Sequence, residues 1–533
     1  MTRKVAIIAG VAAFVTASGT VRAMDIVKGG KPVASVWYIE AAADAKWPTE
    51  QAAALEFAEV IKKMSGADLV LNAVKPGEKP EIKAPAIVFG ELASRQGLPM
   101  TLKSRARDGF RVAVKNGILG ISGESPQGVY HGAFDLLETW GCGWYTPGDV
   151  GEVIPRMADI AVPDDYDRAE VSDSINRRFW FGGAGNRSTG GEAPLEPWRR
   201  RNKGYVECGS WSHAWGGLVD KKLFETKPEL FAIRRGKRDP KQLCTSNPET
   251  IRLAAETLER AMAENPGQTV FAAGPNDGGG LCECSECAKL HTPGYVEYTT
   301  GLPCYSDSVF KFASDIADIT SKKFPNKDLG ILVYSEYSRP LVKIKSLNPR
   351  VFPKMAPIRR CRIHGPGNPI CPEAQIFKDE ILSWSKSSNG KIGFYPYNYN
   401  LADSLLPFSK IDYYKRMIET VREADISELA WTLESMDHWT THAPHHYLSL
   451  RMLWTTDIDV DKEMDRFFNG FYGKAAAPMR DYWTRIDQAY ATTPTHVGSS
   501  YGQHHVWTPE LLKACRADIE NARTLAANAR EKK

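Results

Sequence analysis

The sequence lacks the features that would place it in several common classes of protein. It has little net charge, since 68 Lys and Arg nearly balance 64 Asp and Glu, and this argues against nucleic acid as a partner. It has no Gly-x-Ser-x-Gly turn, no P-loop and no strand–helix unit that carries Gly-x-Gly-x-x-Gly. A serine nucleophile of the usual kind, a nucleoside triphosphate site and a dinucleotide site are therefore not predicted.

An apolar run does stand at the amino terminus, but it is short. Residues 5–15 are apolar, follow Arg3 and Lys4, and lead to a small residue at Ala23. This order is typical of a cleaved secretory signal over residues 1–23, and the run is well below the roughly 20 residues of a membrane span. We expect an exported protein, periplasmic or secreted, with no membrane span, while the sequence leaves its oligomeric state open.

Three parts follow, each with its own pattern. Residues 24–165 alternate short strand-like and helix-like runs, residues 172–460 repeat strand–helix units, and residues 461–533 are helical with an aromatic stripe typical of a core. Helices are predicted over residues 48–65, 127–139, 247–265, 306–324, 375–387 and 410–424. In the middle part, eight strand-like runs end near Phe181, His213, Cys244, Ala273, Glu336, Cys361, Tyr397 and Glu434. This pattern predicts an α/β protein: a small α/β domain, a (β/α)₈ barrel of the TIM type and a helical C-terminal extension.

Polar residues that could carry chemistry follow the fourth of these strands. The apolar run that ends at Ala273 leads into Asn276 and Asp277 and then into three glycines. An amide and a carboxylate thus follow the carboxyl end of an interior strand, where α/β enzymes place their catalytic groups. Asp277 could alternatively cap the next helix.

Two further carboxylates, Glu336 and Glu434, stand at the ends of other predicted strands, so the candidate catalytic residues are Asp277, Glu336 and Glu434. Candidate substrate-binding residues near the same strand ends are Asn276, His213, Trp215, Tyr337, His364, Tyr395 and Tyr397. Cleavage of a glycoside needs one carboxyl group to protonate the leaving oxygen and another group to stabilise or attack the anomeric carbon. The 14 Trp and 20 Tyr residues suit flat, hydroxyl-rich rings.

These residues predict a glycoside hydrolase that acts on a glycan and requires no cofactor. Two alternatives stay open. The aromatic residues could serve a carbohydrate-binding protein without catalysis, or Tyr395, Tyr397 or His364 could be the base of a polysaccharide lyase. Individual residues have plainer interpretations as well: Glu336 could cap a helix or pair with Arg339, and His213 could be a core histidine.

Four of the ten cysteines cluster around the Asp277 loop. Cys282, Cys284 and Cys287 follow it directly, and Cys244 lies upstream. The four thiols could bind one structural zinc ion, or form one or two disulfides. In either case we expect them to brace the loop rather than to catalyse. No other metal site is predicted, because His442, His445 and His446 lack an acidic partner at ligand spacing and Pro444 is expected to break their helix.

Two sets of motifs resemble known families. The run Tyr130–Gly148, YHGAFDLLETWGCGWYTPG, resembles the end of the small domain that precedes the barrel in β-hexosaminidases and α-glucuronidases. Over about residues 30–475 the chain resembles the bacterial domain of unknown function 4838. The motifs that carry this resemblance are Lys227–Ala232, Gly236–Arg238, Gln242–Pro248, Asn276–Gly278 with the cysteine cluster, and Tyr447–Trp454.

The second resemblance carries implications for activity. Characterised members of that family resemble glycoside hydrolase family 163, endo-β-N-acetylglucosaminidases that act on complex N-glycans. By this resemblance Asn276 and Asp277 occupy the position of the paired acidic residues of hexosaminidases. Asn276 would orient the acetamido group or the 2-hydroxyl of the sugar, with Asp277 or Glu434 as the acid.

Overall fold

The computed structural model describes residues 22–181, 195–204, 206–398, 406–435, 439–496, 498, 502–528 and 530–531. The strands are β1 Ala23–Lys28, β2 Lys31–Pro32, β3 Ser35–Ile39, β4 Val70–Val74, β5 Ala86–Phe89, β6 Phe110–Lys115, β7 Ile118–Gly123, β8 Gly143–Trp144, β9 Glu152–Val153, β10 Ile160–Pro163, β11 Asp167–Glu170, β12 Ser174–Phe181, β13 Phe231–Arg234, β14 Lys237–Leu243, β15 Val270–Ala272, β16 Asp328–Val333, β17 Val351–Met355, β18 Lys391–Phe394 and β19 Glu428–Ser435.

The α-helices are α1 Glu50–Ser65, α2 Glu91–Arg95, α3 Pro126–Thr139, α4 Leu195–Arg201, α5 Trp215–Leu218, α6 Pro248–Glu264, α7 Ser285–Ala288, α8 Ser306–Thr320, α9 Pro372–Ser387, α10 Ile411–Glu423, α11 Trp439–Trp454, α12 Val460–Tyr472, α13 Ala476–Thr492 and α14 Pro509–Leu525. Short 3₁₀ helices cover Asp149–Gly151, Lys221–Glu225, Pro228–Leu230, Ser335–Tyr337, Gly473–Ala475 and Gln503–Val506. Among the described residues, no helix combines the length and the apolar character needed to cross a bilayer. Residues 1–21 of the predicted signal lie outside the described residues.

The first large sheet is mixed and has the strand order β11-β6-β7-β5-β3-β4. Local sequence signals fix its elements. Helix α1 begins where the Thr49 side chain accepts from the amide of Ala52, and it ends at Gly66 with a left-handed φ of 79°. The β6–β7 hairpin turns at Asn116 and Gly117, both with positive φ, as a type I′ turn requires. The two helices and the hairpin predicted here are confirmed to within about two residues.

The second large sheet is parallel throughout, with the order β12-β19-β18-β17-β16-β15. Segment 206–213 bridges both of its edges: Val206 pairs with Arg177 on β12, and Gly209 pairs with Val270 on β15. Across the interior, the Trp211 indole donates to the carbonyl of Phe352 on β17, at 2.9 Å. The sheet is therefore curled, and all its strands end at one common edge.

The prediction of eight barrel strands is wrong in detail, since the described residues contribute six parallel strands to this sheet. Leu243 and Cys244 do not end a parallel strand. They close the antiparallel β13–β14 hairpin, whose turn at Arg235 and Gly236 has φ values of 51° and 76°. Near His213 the chain makes only isolated bridges rather than a regular strand. A short apolar run looks the same in one sequence whichever partner it pairs with, and this explains both errors.

Helices α11 to α14 follow the parallel sheet. Their aromatic stripe is core, as predicted, and Phe467 and Trp483 are fully buried. Helix α11 runs through Pro444, so the expected break at this proline is wrong. Buried Glu138 on α3 accepts from Arg451 of α11 at 2.9 Å and from Arg466 of α12 at 3.2 Å. These ion pairs tie the first sheet and its helices to the C-terminal helices.

Cations hold the amino edge of the parallel sheet together. Asp328, at the start of β16, is fully buried and accepts from Arg105 at 2.5 Å, and it also contacts Arg350 and Lys391 at 3.3 and 3.1 Å. Glu428, at the start of β19, pairs with the same Arg105 guanidinium. Arg105 belongs to the loop before β6, so this cluster also anchors the first sheet to the second.

Candidate active site

The loop after β15 is held by a hairpin that stands beside it. The Gln242 side chain donates to the carbonyls of Asn276 and Gly279, at 2.6 and 3.2 Å, and accepts from the Asn276 amide at 3.0 Å. The Asn276 side chain in turn accepts from the Gly216 amide at 2.7 Å and donates to the Lys241 carbonyl at 2.6 Å. Asn276 is thus part of the frame of the loop, and a substrate hydroxyl would have to share its amide with these backbone groups.

Asp277 projects from this frame towards solvent. Its side chain is 69% exposed, and one carboxylate oxygen lies 3.8 Å from Nε2 of His213. His213 Nδ1 lies 2.6 Å from the carbonyl of Pro275, and this contact favours the tautomer in which Nδ1 carries the proton. Nε2, the nitrogen without the proton in that tautomer, is the one that faces Asp277, at a distance longer than a hydrogen bond.

Glu336 lies directly against the same loop. A Cβ added to Gly279 would lie 2.8 Å from Glu336 Oε1, and Gly279 has a φ of 66°. Glycine is therefore needed here for both close approach and backbone conformation. Glu336 is only 8% exposed, and its Oε2 has no hydrogen-bond partner among the described residues. The preceding Ser335 has a φ of 49°, an uncommon backbone state for a residue other than glycine, of the kind found at functional sites.

Glu434 ends β19 on the other side of this edge. Tyr395 donates its hydroxyl to Glu434 Oε2 at 2.9 Å, and the rings of Tyr395 and Tyr397 are 5.1 Å apart. The Arg362 guanidinium lies 4.4 Å over the Tyr397 ring. Glu434 is half-buried, with an aromatic and cationic wall beside it.

Two tyrosines connect the acids. Burial, and then the Asp277 carboxylate, raise the pKa of Tyr334, with a further contribution from Glu336. Burial also raises the pKa of Tyr337, which experiences the charges of Glu336 and Asp277 and the neighbouring Tyr397. The Tyr334 ring lies 5.7 Å from that of His213. The structure therefore brings Asp277, Glu336 and their tyrosines into one electrostatic neighbourhood.

Two predicted substrate-binding residues lie elsewhere. Trp215 is 1% exposed, donates to the Ala273 carbonyl at 2.8 Å and packs edge-on against Phe312, so it is a core residue and the prediction was wrong. His364 is also 1% exposed, and its Nδ1 lies 3.3 Å from Cys361 Sγ. It belongs to a cysteine–histidine cluster rather than to the face that carries the acids.

The four loop cysteines do converge, and all four are free thiols. Their sulfur atoms lie within 4.8 Å of one another. The sulfur of Cys244 is 3.7 Å from that of Cys284 and 4.0 Å from that of Cys287. These distances match the separation of about 3.8 Å expected for two thiolates on one tetrahedral zinc, given Zn–S bonds of about 2.3 Å. The amides of Ile233 and Cys287 donate to Cys282 and Cys284 at 3.3 and 3.5 Å, a pattern that suits thiolate ligands.

Sequence reasoning missed three residues that shape the site. Gln242 belongs to one of the family motifs, but its hydrogen bonds to the loop cannot be inferred from spacing. Arg362 lies over the Tyr397 ring, a contact that nothing in the surrounding sequence indicates. Lys354, on β17, is fully buried inside the curled sheet, where it donates to Thr432 at 2.9 Å and lies 3.5 Å over the Trp211 ring. Burial lowers the pKa of Lys354 to about 7. The available signal is a single charged residue within the short run Val351–Met355.

Comparison with known proteins gives a family and a fold. The family model described as a domain of unknown function, DUF4838, matches residues 144–484. A solved GH115 4-O-methyl-α-glucuronidase with specificity for decorated arabinogalactans aligns with a TM-score of 0.54 and 12% identity, over 95% of this chain and 70% of that one. The GH89 enzyme of Clostridium perfringens aligns with a TM-score of 0.47 and 11% identity, over 76% of this chain and 51% of its own. No curated protein matches this sequence. The GH115 likeness shows a shared fold.

Proposed function

We propose that this chain, which belongs to the DUF4838 family, is a glycoside hydrolase whose site lies at the carboxyl edge of the curled parallel sheet. One observation carries the proposal. Asp277 and Glu336 follow β15 and β16, and Glu434 is the last residue but one of β19, so all three lie at the edge where parallel strands present their chemistry. Tyrosines line the same edge and could stack against sugar rings.

The contacts suggest separate roles for the acids. Asp277 is exposed beside His213 and acts as the acid that protonates the leaving oxygen, with Glu434 as the alternative. Glu434, oriented by the Tyr395 hydroxyl, stabilises charge at the anomeric carbon. Glu336 is buried, and its free oxygen can accept a hydrogen bond from a substrate hydroxyl.

Three finer points belong to the proposal. Segment 206–213 would complete a barrel-like enclosure with the six parallel strands, because it bridges both edges. The family resemblance makes a β-N-acetylglucosaminide of a complex N-glycan the first substrate to test. The predicted signal over residues 1–23 would deliver the enzyme to the periplasm or the medium, where such glycans are met.

The test is a product screen. Purified protein without the signal is incubated with complex N-glycans and with a panel of bacterial and host glycans, and new reducing ends are measured. We expect release from at least one substrate, and loss of that release in Asp277→Asn. A well-folded sample that binds a glycan on an array but releases nothing would support a carbohydrate-binding protein instead.

A polysaccharide lyase is the second candidate, and one observation favours it. A lyase needs a base beside a cation, and Arg362 lies 4.4 Å over the ring of Tyr397. Lysis leaves an unsaturated sugar that absorbs in the ultraviolet, whereas hydrolysis does not. An absorbing product that disappears in Tyr397→Phe, while Asp277→Asn stays active, would favour the lyase.

We also propose that Cys244, Cys282, Cys284 and Cys287 bind a structural zinc ion that braces the Asp277 loop. Their sulfur separations support this assignment. Elemental analysis should find zinc in the wild-type protein and one equivalent less in Cys284→Ser, which should also unfold at lower temperature. Cys515→Ser, at a buried thiol in α14, is the matched control. A disulfide among the four cysteines in the purified protein would contradict the proposal.

A further inference from the structure

A second group of side chains that could hold a metal ion lies outside the Asp277 loop and its cysteines. Cys361, His364 and Cys371 come from the connection between β17 and α9, and His496 comes from the segment after α13. Their four ligand atoms all lie within 4.8 Å of one another. The four residues bring together parts of the chain that are more than a hundred residues apart.

The environment of these side chains suits an ion better than it suits free polar groups. Cys361, His364 and Cys371 are 7%, 1% and 0% exposed. His364 Nδ1 lies 3.3 Å from Cys361 Sγ, close to the separation of about 3.5 Å expected for a nitrogen and a sulfur on one tetrahedral zinc. The other ring nitrogen, Nε2, is buried and has no hydrogen-bond partner among the described residues. An ion on Nδ1 would fix the proton of this ring on Nε2.

We propose that Cys361, His364, Cys371 and His496 form a second structural zinc site. Two thiolates and two imidazoles are a common tetrahedral zinc set, and four protein ligands leave no open position for catalysis. His496 is exposed and closes the site from the C-terminal helices. Its ring lies 5.6 Å from that of His364.

The position of the site indicates which parts of the chain an ion there would connect. Beside it, the Asn368 side chain donates to the Ala491 carbonyl at the end of α13, at 2.9 Å, so the same two segments already touch. A metal ion here would fasten the β17–α9 connection to the C-terminal helices. That connection carries Arg362, which lies over the ring of Tyr397 next to Glu434. The ion would therefore act on the site as a positioning element, two contacts away from the acids.

Metal content and ligand type test this proposal without any glycan, so its outcome is separate from that of the proposed function. The full chain is purified without chelator, and zinc is measured by elemental analysis in the wild type, Cys361→Ser and His496→Ala. We expect each variant to hold one equivalent of zinc less than the wild type, or to release it to a competing chelator at least tenfold faster. His505→Ala, an exposed histidine in a neighbouring 3₁₀ helix, should match the wild type.

The identity of the ligands is read by X-ray absorption. In Cys284→Ser, which removes the other proposed zinc ion, the remaining zinc should have two sulfur ligands at about 2.3 Å and two nitrogen ligands at about 2.0–2.1 Å. If that variant does not fold, the wild-type spectrum is used, with a mixed shell as the expected result and an all-sulfur shell as the contrary one. Wild-type zinc content together with wild-type release to the chelator in both ligand variants would overturn the proposal, as would a Cys361–Cys371 disulfide, two hydrogens lighter by mass spectrometry.

Discussion

The two edges of the parallel sheet carry the same kinds of side chain and hold them in opposite ways. At the amino edge, Asp328 is fully buried and contacts three cations. At the carboxyl edge, Glu336 is almost as buried, but one of its oxygens has no partner among the described residues, and Asp277 extends into solvent beside an imidazole. Because an unpaired buried carboxylate is costly, the fold is stabilised at one edge and leaves its acids accessible at the other.

Asp277→Asn is the strongest test of this difference between the two edges. The amide keeps the shape of the side chain and removes its acidic proton, and general acid catalysis typically contributes about 10²–10⁴-fold. We expect kcat on the glycan found in the product screen to fall by about that factor, with the thermal midpoint unchanged. Asp165→Asn, an exposed carboxylate in the connection before β11, is the control. Full activity in Asp277→Asn would move the acid to Glu434.

Asp328→Asn should give the opposite result at the other edge. Removing one partner of a buried ion cluster typically costs about 3–5 kcal/mol, so we expect the free energy of unfolding in urea to fall by that amount. The activity of the molecules that remain folded should be near that of the wild type. A specific loss of kcat in folded Asp328→Asn, comparable with that of Asp277→Asn, would show that the two edges are not separate.

Lys354 lies on β17, between the two edges of the sheet, and its protonation should make the free energy of unfolding depend on pH. Its pKa is about 7 in the folded chain and 10.5 in the ordinary reference state. Between these values the unfolded chain binds a proton that the folded chain does not, so the stability of the fold rises with pH across this window. We expect this group to contribute about 1.4 kcal/mol per pH unit well inside the window. Lys354→Met should remove that slope in urea unfolding at pH 7, 8 and 9, and exposed Lys322→Met should keep it.

The smallest expected effect is that of Gln242→Ala. It removes three hydrogen bonds that hold the Asp277 loop, each worth about 1 kcal/mol. We expect kcat to fall about tenfold, which corresponds to about 1.4 kcal/mol of lost alignment. Hydrogen exchange over residues 274–281 should become faster, and Gln242→Glu, which keeps the acceptor, should be intermediate. Unchanged exchange in Gln242→Ala would mean that the hairpin does not hold the loop.

The sequence predicts best those features that depend on interactions between residues close together in the chain. Capping residues and left-handed glycines fix the ends of helices, and so α1 and the turn at Asn116 and Gly117 were predicted nearly to the residue. The positions of Asp277 and Glu434 at strand ends followed from the same local patterns. These features need only a few neighbouring residues to be specified.

The rest depended on which segments meet in space. Cys244 belongs to a hairpin rather than to the parallel sheet, because its partner strand is β13, a choice that the apolar pattern does not encode. Trp215 was assigned to the site because aromatic residues serve cores and ligands alike. His364 was predicted on the face of the acids because it follows a strand-like run that ends near Cys361, whereas the strand itself, β17, ends at Met355.

The ion pairs of Glu138 have a consequence for the order in which the chain can fold. Glu138 and its partner Arg451 are 313 residues apart, and Arg466 is still further along. During synthesis, α3 is therefore complete long before the two guanidinium groups that pair with this carboxylate. Until most of the polypeptide has been made, Glu138 lacks both of these partners, and α3 cannot yet be tied to the C-terminal helices. A fragment that ends before α11 should accordingly be prone to aggregation, even though it contains both sheets.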